Sequence, residues 1–323
     1  METNTNNATI SIIIPHWENI DGLEILLESI RQEAFKQPNL AETIVVDDYS
    51  CPETQQKLRD LQNRFDFHLY FNNSIKSAGT CRNIGIEKST GQWLLFADSD
   101  DYFLPGFLDA TKKYLSSDYD IVFFPPTSAD YNNHNILSNR HFTHSQLVKN
   151  YPQNSTDIKY RWYTAWSRLI KKRIITNNGI KFDSVIAYND VLFSTHLGFH
   201  SKKITVDTNT IYTITQRQSS LTYNTTLQHW LSRIEVYIRN NRFLERHKLV
   251  EYKKVYWRWL LPILAYFGIS GFLKAIFLIL SKHENPLPGL ADEIARYLSV
   301  IKKGKYTFKM LIIKILQKRN YIQ

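Results

Sequence analysis

With 323 residues, 43% hydrophobic and 14% aromatic, the chain can bury a substantial core as one large domain or two, which excludes a disordered or low-complexity protein. Only two cysteines occur, Cys51 and Cys81, and the opening METNTNNATI has neither a basic start nor an apolar stretch, so free thiols in a reducing cytosol are expected. The formal charge of +10 sits in the tail, where 18 Lys and Arg meet 6 Asp and Glu from Leu231 onward, against 22 and 24 before it, a balance that suits an anionic membrane surface or a polyanionic partner.

In chain order, Ile10–Ile14 is a continuous apolar run halted by Pro15, the pattern of a strand buried on both faces of a parallel sheet. Leu23, Leu26, Leu27 and Ile30 then fall on one helical face, with Asp21 and Glu24 spaced as a capping box. Thr43–Val46 repeats the strand pattern and ends in Asp47 and Asp48. Pro52 opens a helix carrying Leu58, Leu61 and Phe65, and FHLYFNN is a third strand. A helix over about 79–89 is closed by Gly91. QWLLFADSDD is the fourth strand and DIVFFPP, Asp120–Pro126, the fifth. The polar stretch 127–160 reads as a loop-rich excursion suited to a lid or acceptor loop, after which helix and strand patterns resume to Thr215. Beyond about Thr226 the chain predicts long, aromatic, basic helices. No repeat at a fixed period is present.

Strands alternating with helices at this spacing predict an open α/β sheet, with ligands beyond the carboxyl ends of the strands. Pro15–Trp17, Asp47–Asp48 and Asp98–Asp101 all fall at such ends. Asp98-Ser99-Asp100 places two carboxylates on one side of an extended turn, a donor set for Mg²⁺ or Mn²⁺ completed by phosphate oxygens and water. The ten histidines are scattered and offer no zinc site with the two cysteines. No glycine-rich phosphate loop or dinucleotide turn is present, and no nucleic-acid module accompanies the basic residues, so no nucleic-acid partner is expected.

The segments SIIIPHWENIDGLEILLESI, TIVVDDYSCPET, SAGTCRNIGIEKSTGQWLLFADSDD and WSRLIKKRIITNNGIKFDSVIAYNDVLF occur in that order. Together they resemble the family 2 glycosyltransferases of the GT-A fold, from about Thr9 to Thr222. The resemblance implies a GT-A open mixed sheet flanked by helices, with a Rossmann-like nucleotide half at about 1–126 and an acceptor half at about 127–225. A helical region over 226–323 would follow. It implies an inverting, metal-dependent enzyme moving a sugar from a nucleotide donor, best matched by a UDP-sugar, to a glycan hydroxyl. By the same resemblance Pro15 and Trp17 face the nucleotide, with Trp17 where Tyr is more usual. Asp47 would accept a hydrogen bond from the base beside Asp48, and Arg82 would lie near the diphosphate. Asp98 and Ser99 would approach the ribose, with Asp100, and Asp98 beside it, on the metal. Asp190 matches the general base, with Asn189 where Glu is usual. Trp166 matches an acceptor-side aromatic. Arg217 would contact phosphate, since Thr215 stands where Arg is frequent.

Trp259–Leu280 is 22 residues long with a single charge, Lys274, and contains Pro262, Gly268 and Gly271. Peripheral or re-entrant membrane contact, a helix pair packed on the catalytic domain, and a true span all remain open. The basic, apolar end KKGKYTFKMLIIKILQKRNYIQ favours anionic headgroups, which places the protein at the cytoplasmic face of the cell membrane with a glycan or lipid-linked oligosaccharide acceptor. Two other readings stand beside this one. A metal-dependent nucleotidyltransferase would need a glycine-rich basic loop near the N-terminus, and PHWENIDG offers none. A non-catalytic, membrane-associated scaffold of the same fold would tolerate loss of Asp100 and Asp190.

Overall fold

The computed structural model describes residues 9–216, 226–293 and 295. The chain divides into two units, Met1–Val185 with Leu192–Gln216, and Ile186–Val191 with Arg217–Gln323.

The first unit begins with β1 (Ile10–His16), α1 (Ile20–Ala34), β2 (Ala41–Asp47), α2 (Pro52–Leu61), β3 (His68–Phe71), α3 (Ala78–Lys88) and β4 (Trp93–Phe96). There follow β5 (Tyr102–Phe103), α4 (Phe107–Lys112), β6 (Ile121–Phe123), β7 (Thr127–Asp130), α5 (Phe142–Asn150) and α6 (Ser155–Arg161). The remaining elements are β8 (Arg168–Lys171), α7 (Lys172–Asn177), α8 (Val191–His200), β9 (Ile204–Val206) and β10 (Tyr212–Gln216). Seven strands form one sheet in the order β3-β2-β1-β4-β8-β6-β9, and β5-β10-β7 form a smaller one. β1, β2, β3 and β4 run parallel, whereas β8 is antiparallel to both β4 and β6. This is the open α/β sheet that the alternating pattern predicts, mixed and flanked by helices as the GT-A resemblance implies. Chain order reverses between β1 and β4, and the carboxyl edge of that switch point is where such sheets hold ligands.

The apolar runs explain the core. Ile10, Ile12, Ile13 and Ile14 of β1 and Trp93–Ala97 around β4 are almost wholly buried, as strands covered by helices on both faces must be. β1 continues past Pro15, which pairs with Val46, and ends at His16 opposite Asp47. Ile13 accepts from the Ala97 backbone N–H on the β4 side. By strand alternation Pro15 faces that same side, beyond the last β4 partner, so its missing donor costs nothing.

Several local expectations are corrected. Asp21 lies inside the first turn of α1, and its N-cap is Asn19, whose side chain makes no capping bond because it serves the site described below. α3 is capped by Ser77, which accepts from the Thr80 N–H at 3.0 Å. Gly91 does not terminate α3, which ends in extended Ser89. A Cβ at Gly91 would sit 2.7 Å from the Ser11 nitrogen, so the glycine allows β4 to enter close beside β1. Residues 127–160 are not a plain loop: β7, α5 and α6 occupy much of the stretch.

The second unit contains α9 (Leu227–Arg246), a 3₁₀ turn at Val250–Tyr252 and α10 (Trp257–Ser281). Among the described residues, Val250–Ser281 is the one segment long and apolar enough to cross a membrane. It does not run straight. Gly268 adopts φ 65°, ψ −166°, a conformation open in practice to glycine alone. The two halves of α10 fold back on one another: the Tyr256 hydroxyl before the helix donates to Glu284 Oε2 beyond its end at 3.0 Å, whereas a straight helix of this length spans roughly 37 Å. The Trp257 and Phe272 rings lie 6.0 Å apart across the fold. A straight bilayer span is therefore not the form this segment takes.

Candidate active site

β1 delivers Trp17 to the carboxyl edge, 49% exposed, with Lys76 Nζ 4.3 Å from its ring centroid. A half-exposed indole with a cation beside it suits a flat, anionic ligand such as a nucleotide. Pro15 is buried within β1 and holds the strand end from which Trp17 emerges.

Asp47 is the strongest departure from expectation. Its carboxylate is fully buried and taken up by the protein. His16 Nδ1 lies 3.0 Å away, and Ser50 donates from its backbone N–H at 3.0 Å and its hydroxyl at 2.5 Å. Burial alone would raise this carboxyl, but the hydrogen bonds from His16 and Ser50 outweigh it and hold Asp47 below the ordinary range. Asp48 is also buried, accepting from Asn72 at 2.8 Å and the Ser77 N–H at 3.1 Å. Both carboxylates tie loops together within the protein. The Ser50 hydroxyl in turn accepts from the Glu18 N–H at 2.9 Å, and the Glu18 carboxylate accepts from Thr54 and the Cys51 N–H, which hold it below its usual value. The Trp17 and Tyr49 loops are thus stapled to each other and to the start of α2.

Two of the three carboxylates in the Asp98–Asp101 turn are taken up within the protein, each in its own way. Asp98, 32% exposed, pairs with Arg82 Nη2 at 2.5 Å. Arg82 is itself buried, so its charge acts through Asp98. Asp101 is buried, accepting from the Thr215 N–H at 2.7 Å and the Tyr212 hydroxyl at 2.8 Å. Burial, with the charges of Asp100 and Asp98 added, pushes its carboxyl well above the ordinary range. Asp100 is half-buried, and its carbonyl accepts from the Thr215 hydroxyl at 2.6 Å. The Asp98 N–H donates to the Tyr212 hydroxyl at 2.9 Å, and the Ser99 carbonyl accepts from Asn19 Nδ2 at 3.4 Å. β10 therefore pins the turn at two backbone points, the Asp98 N–H and the Asp100 carbonyl, and Asn19 holds a third at Ser99. Tyr212→Phe removes a hydroxyl shared by Asp98 and Asp101 and is expected to cost about 1–3 kcal/mol, read as a lower urea midpoint; an unchanged midpoint would show that the turn holds without it.

Trp166 lies in the core, 5% exposed. Its ring stacks on Tyr212 at 6.0 Å and contacts His144 and Trp162, so the structure gives it a packing position behind Tyr212 and not an open acceptor face. Burial, aided by Arg168 and Arg140, pushes the His144 imidazole down to about 3, and this ring stays neutral. Asp190, with Asn189, is half-buried and immediately precedes α8. Arg217 lies outside the described residues.

Seven non-glycine residues among those described have left-handed backbone, and four of them stand beside these positions. Glu18, Tyr49, Ser167 and Tyr188 all have φ between 55° and 60°, each next to or within two residues of Trp17, Asp48, Trp166 or Asp190. Such residues cost about 1–3 kcal/mol each.

Among the described residues no group of three or more His, Cys, Asp or Glu side chains is arranged to cage a metal ion. Asp98 and Asp100, two partly exposed hard-oxygen donors on one turn, fit instead a cation that completes its shell with phosphate oxygens and water. Sequence reasoning missed Tyr212, Asn19 and Lys76. Only the pairing of β10 with β5 and β7 brings Tyr212 to a turn more than a hundred residues earlier, and no local pattern announces it.

A family model described as glycosyl transferase family 2 matches residues 11–189. The GalNAc(5)-diNAcBac-PP-undecaprenol beta-1,3-glucosyltransferase of Campylobacter jejuni subsp. jejuni serotype O:2 is 31% identical over 35% of this chain and 37% of its own length. The chain thus spans little more than a third of that relative. Staphylococcus aureus TarS 1–349 in complex with UDP-GlcNAc superposes with a TM-score of 0.63 at 17% identity, covering 85% of this chain and 81% of that one. The Pyrobaculum calidifontis mannosyltransferase PcManGT, in complex with GDP-Man and Mn²⁺, gives 0.57 at 12% identity, covering 93% and 82%. At these identities the two structures share the fold.

Proposed function

The chain belongs to glycosyl transferase family 2, and from that premise we propose that it transfers a sugar from a nucleoside-diphosphate sugar to a glycan hydroxyl with inversion at the anomeric carbon. The observation that carries the reading is the Asp98–Asp100 turn, partly exposed at the switch point of the sheet and pinned by β10. Trp17 and Lys76 would seat the nucleoside, and a UDP-sugar is the preferred donor. Ser99 would follow the ribose side of the turn. Asp98 and Asp100 would hold a Mg²⁺ or Mn²⁺ ion, which when bound offsets the charge that builds on the departing diphosphate. Arg82 would orient Asp98 through their ion pair. Arg217 would add a positive charge for the phosphates. Asp190 would take the proton of the attacking hydroxyl, for which a carboxylate is the required base.

The acceptor proposed is a lipid-linked or surface glycan, met at the cytoplasmic face of the membrane. The named activity of the Campylobacter relative, on an undecaprenol-linked glycan, supports that class, as does the basic tail. The test is a panel of nucleotide sugars with Mn²⁺, read as nucleoside diphosphate released. Release from one or more donors that stops with a chelator is expected. No release from any donor, with no metal-dependent nucleotide binding, would overturn the proposal.

A further inference from the structure

The folded-back α10 leaves one face without a partner among the described residues. On its second arm Ile269, Leu273, Phe277 and Leu280 follow one another at spacings of three and four, and are 70%, 58%, 74% and 52% exposed. The opposite side of the same arm, Gly271, Ala275 and Ile279, is buried. A scattered exposed leucine means little, but a continuous apolar stripe on one helix face marks a docking surface.

We propose that this stripe lies along an anionic lipid surface, entering the headgroup boundary without crossing the bilayer. Three observations carry it. First, the helix is fastened at both ends: Tyr256 and Arg242 both bind Glu284, at 3.0 and 2.7 Å, and Lys282 pairs with Glu235 of α9 at 3.5 Å. Straightening α10 into a span would break these ties. The arms on either side of Gly268 are roughly 17 and 20 Å long, short of the ~30 Å of hydrocarbon. Second, charge selects the occupant. Lys274 and Lys282 are exposed beside the stripe, and residues 294–323 carry eight Lys and Arg with no Asp or Glu. An anionic headgroup layer attracts such a surface, whereas a second copy bearing the same cations is repelled. Third, an apolar stripe bordered by cations is the pattern of helices that lie in the interface plane. The inference deepens the membrane-side placement proposed above and does not depend on the transfer chemistry.

The test uses the full chain with vesicles of phosphatidylcholine alone and with about one third phosphatidylglycerol, a probe composition of the interfacial kind, and reads co-flotation. Wild type is expected to float with the anionic vesicles, less so at high salt. The double variant I269E/F277E is expected to partition at least tenfold more weakly, with unchanged helical circular dichroism and unchanged donor hydrolysis. A variant that floats as well as wild type would overturn the proposal and leave binding to the tail. A wild-type dimer by light scattering that the same variant converts to monomer would overturn it in favour of a second copy. Because flotation needs neither donor nor acceptor, failure here and failure of sugar transfer are separate results.

Discussion

Asp190→Asn is expected to lower sugar transfer by roughly 10²–10⁴-fold while the donor KM barely moves. An acceptor hydroxyl is a poor nucleophile until its proton is removed, and the amide of Asn cannot remove it. The donor side of the proposed site rests on other residues, namely Trp17, Lys76, Asp98 and Asp100, so an effect confined to kcat distinguishes a base from a donor contact. The substitution keeps the shape of a half-buried side chain that follows left-handed Tyr188 at φ 60°, and a change in folding is not expected to account for the loss. Steady-state kinetics with one active donor checks this, alongside Asp190→Ala. Transfer within tenfold of wild type would move the base elsewhere. Asn189, which stands where the family usually has Glu, supplies no second carboxylate at that position to take over the proton.

What the sequence made legible follows from range. The parallel sheet was readable because β1, β2 and β4 are unbroken apolar runs, and burial on both faces leaves no other composition available. The strand ends were readable too, since each run stops in polar residues, and all three ends do meet at the β1/β4 switch point. The direction of each carboxylate was not. Asp47 and Asp48 are adjacent, and both turn inward because loops from β1, β3 and α3 bring His16, Asn72 and Ser77 to them. Asp101 likewise turns inward, because β10 brings Tyr212 and the Thr215 N–H to it. Trp166 carried the aromatic signal of a binding residue, yet its neighbours His144, Trp162 and Tyr212 make it core. In the tail, the sequence offered Pro262, Gly268 and Gly271 together as breaks in a span, and only the backbone angles show that Gly268 is the one that turns α10 into a hairpin.

Asp47→Ala is expected to lower folding stability by about 3–5 kcal/mol, an effect of the size seen when one partner of a buried polar pair is deleted. His16 and Ser50 are almost fully buried, and the substitution strands three groups at once: His16 Nδ1, the Ser50 N–H and the Ser50 hydroxyl. His16 Nε2 has no hydrogen-bond partner among the described residues, so the ring would lose its one fixed contact. The Glu18 N–H hangs on Ser50, and the loop presenting Trp17 would loosen with it. Asp47→Asn keeps the shape and part of the bonding, and is expected to cost about 1–2 kcal/mol. The pH dependence has a definite sign. A carboxyl held below its ordinary value contributes stability that is fully present above the unfolded pKa, about 3.9, and is lost as pH falls through the folded value. The gap between wild type and Asp47→Asn in urea midpoint should therefore be widest near neutrality and shrink below about pH 4. A gap that stays constant into acid would mean that the carboxylate is not depressed. A base-reading role predicts something different: stability intact, with discrimination among nucleotide donors lost. Measuring both on the same variants decides whether this acid holds the nucleotide or, as its burial argues, holds the loops that do.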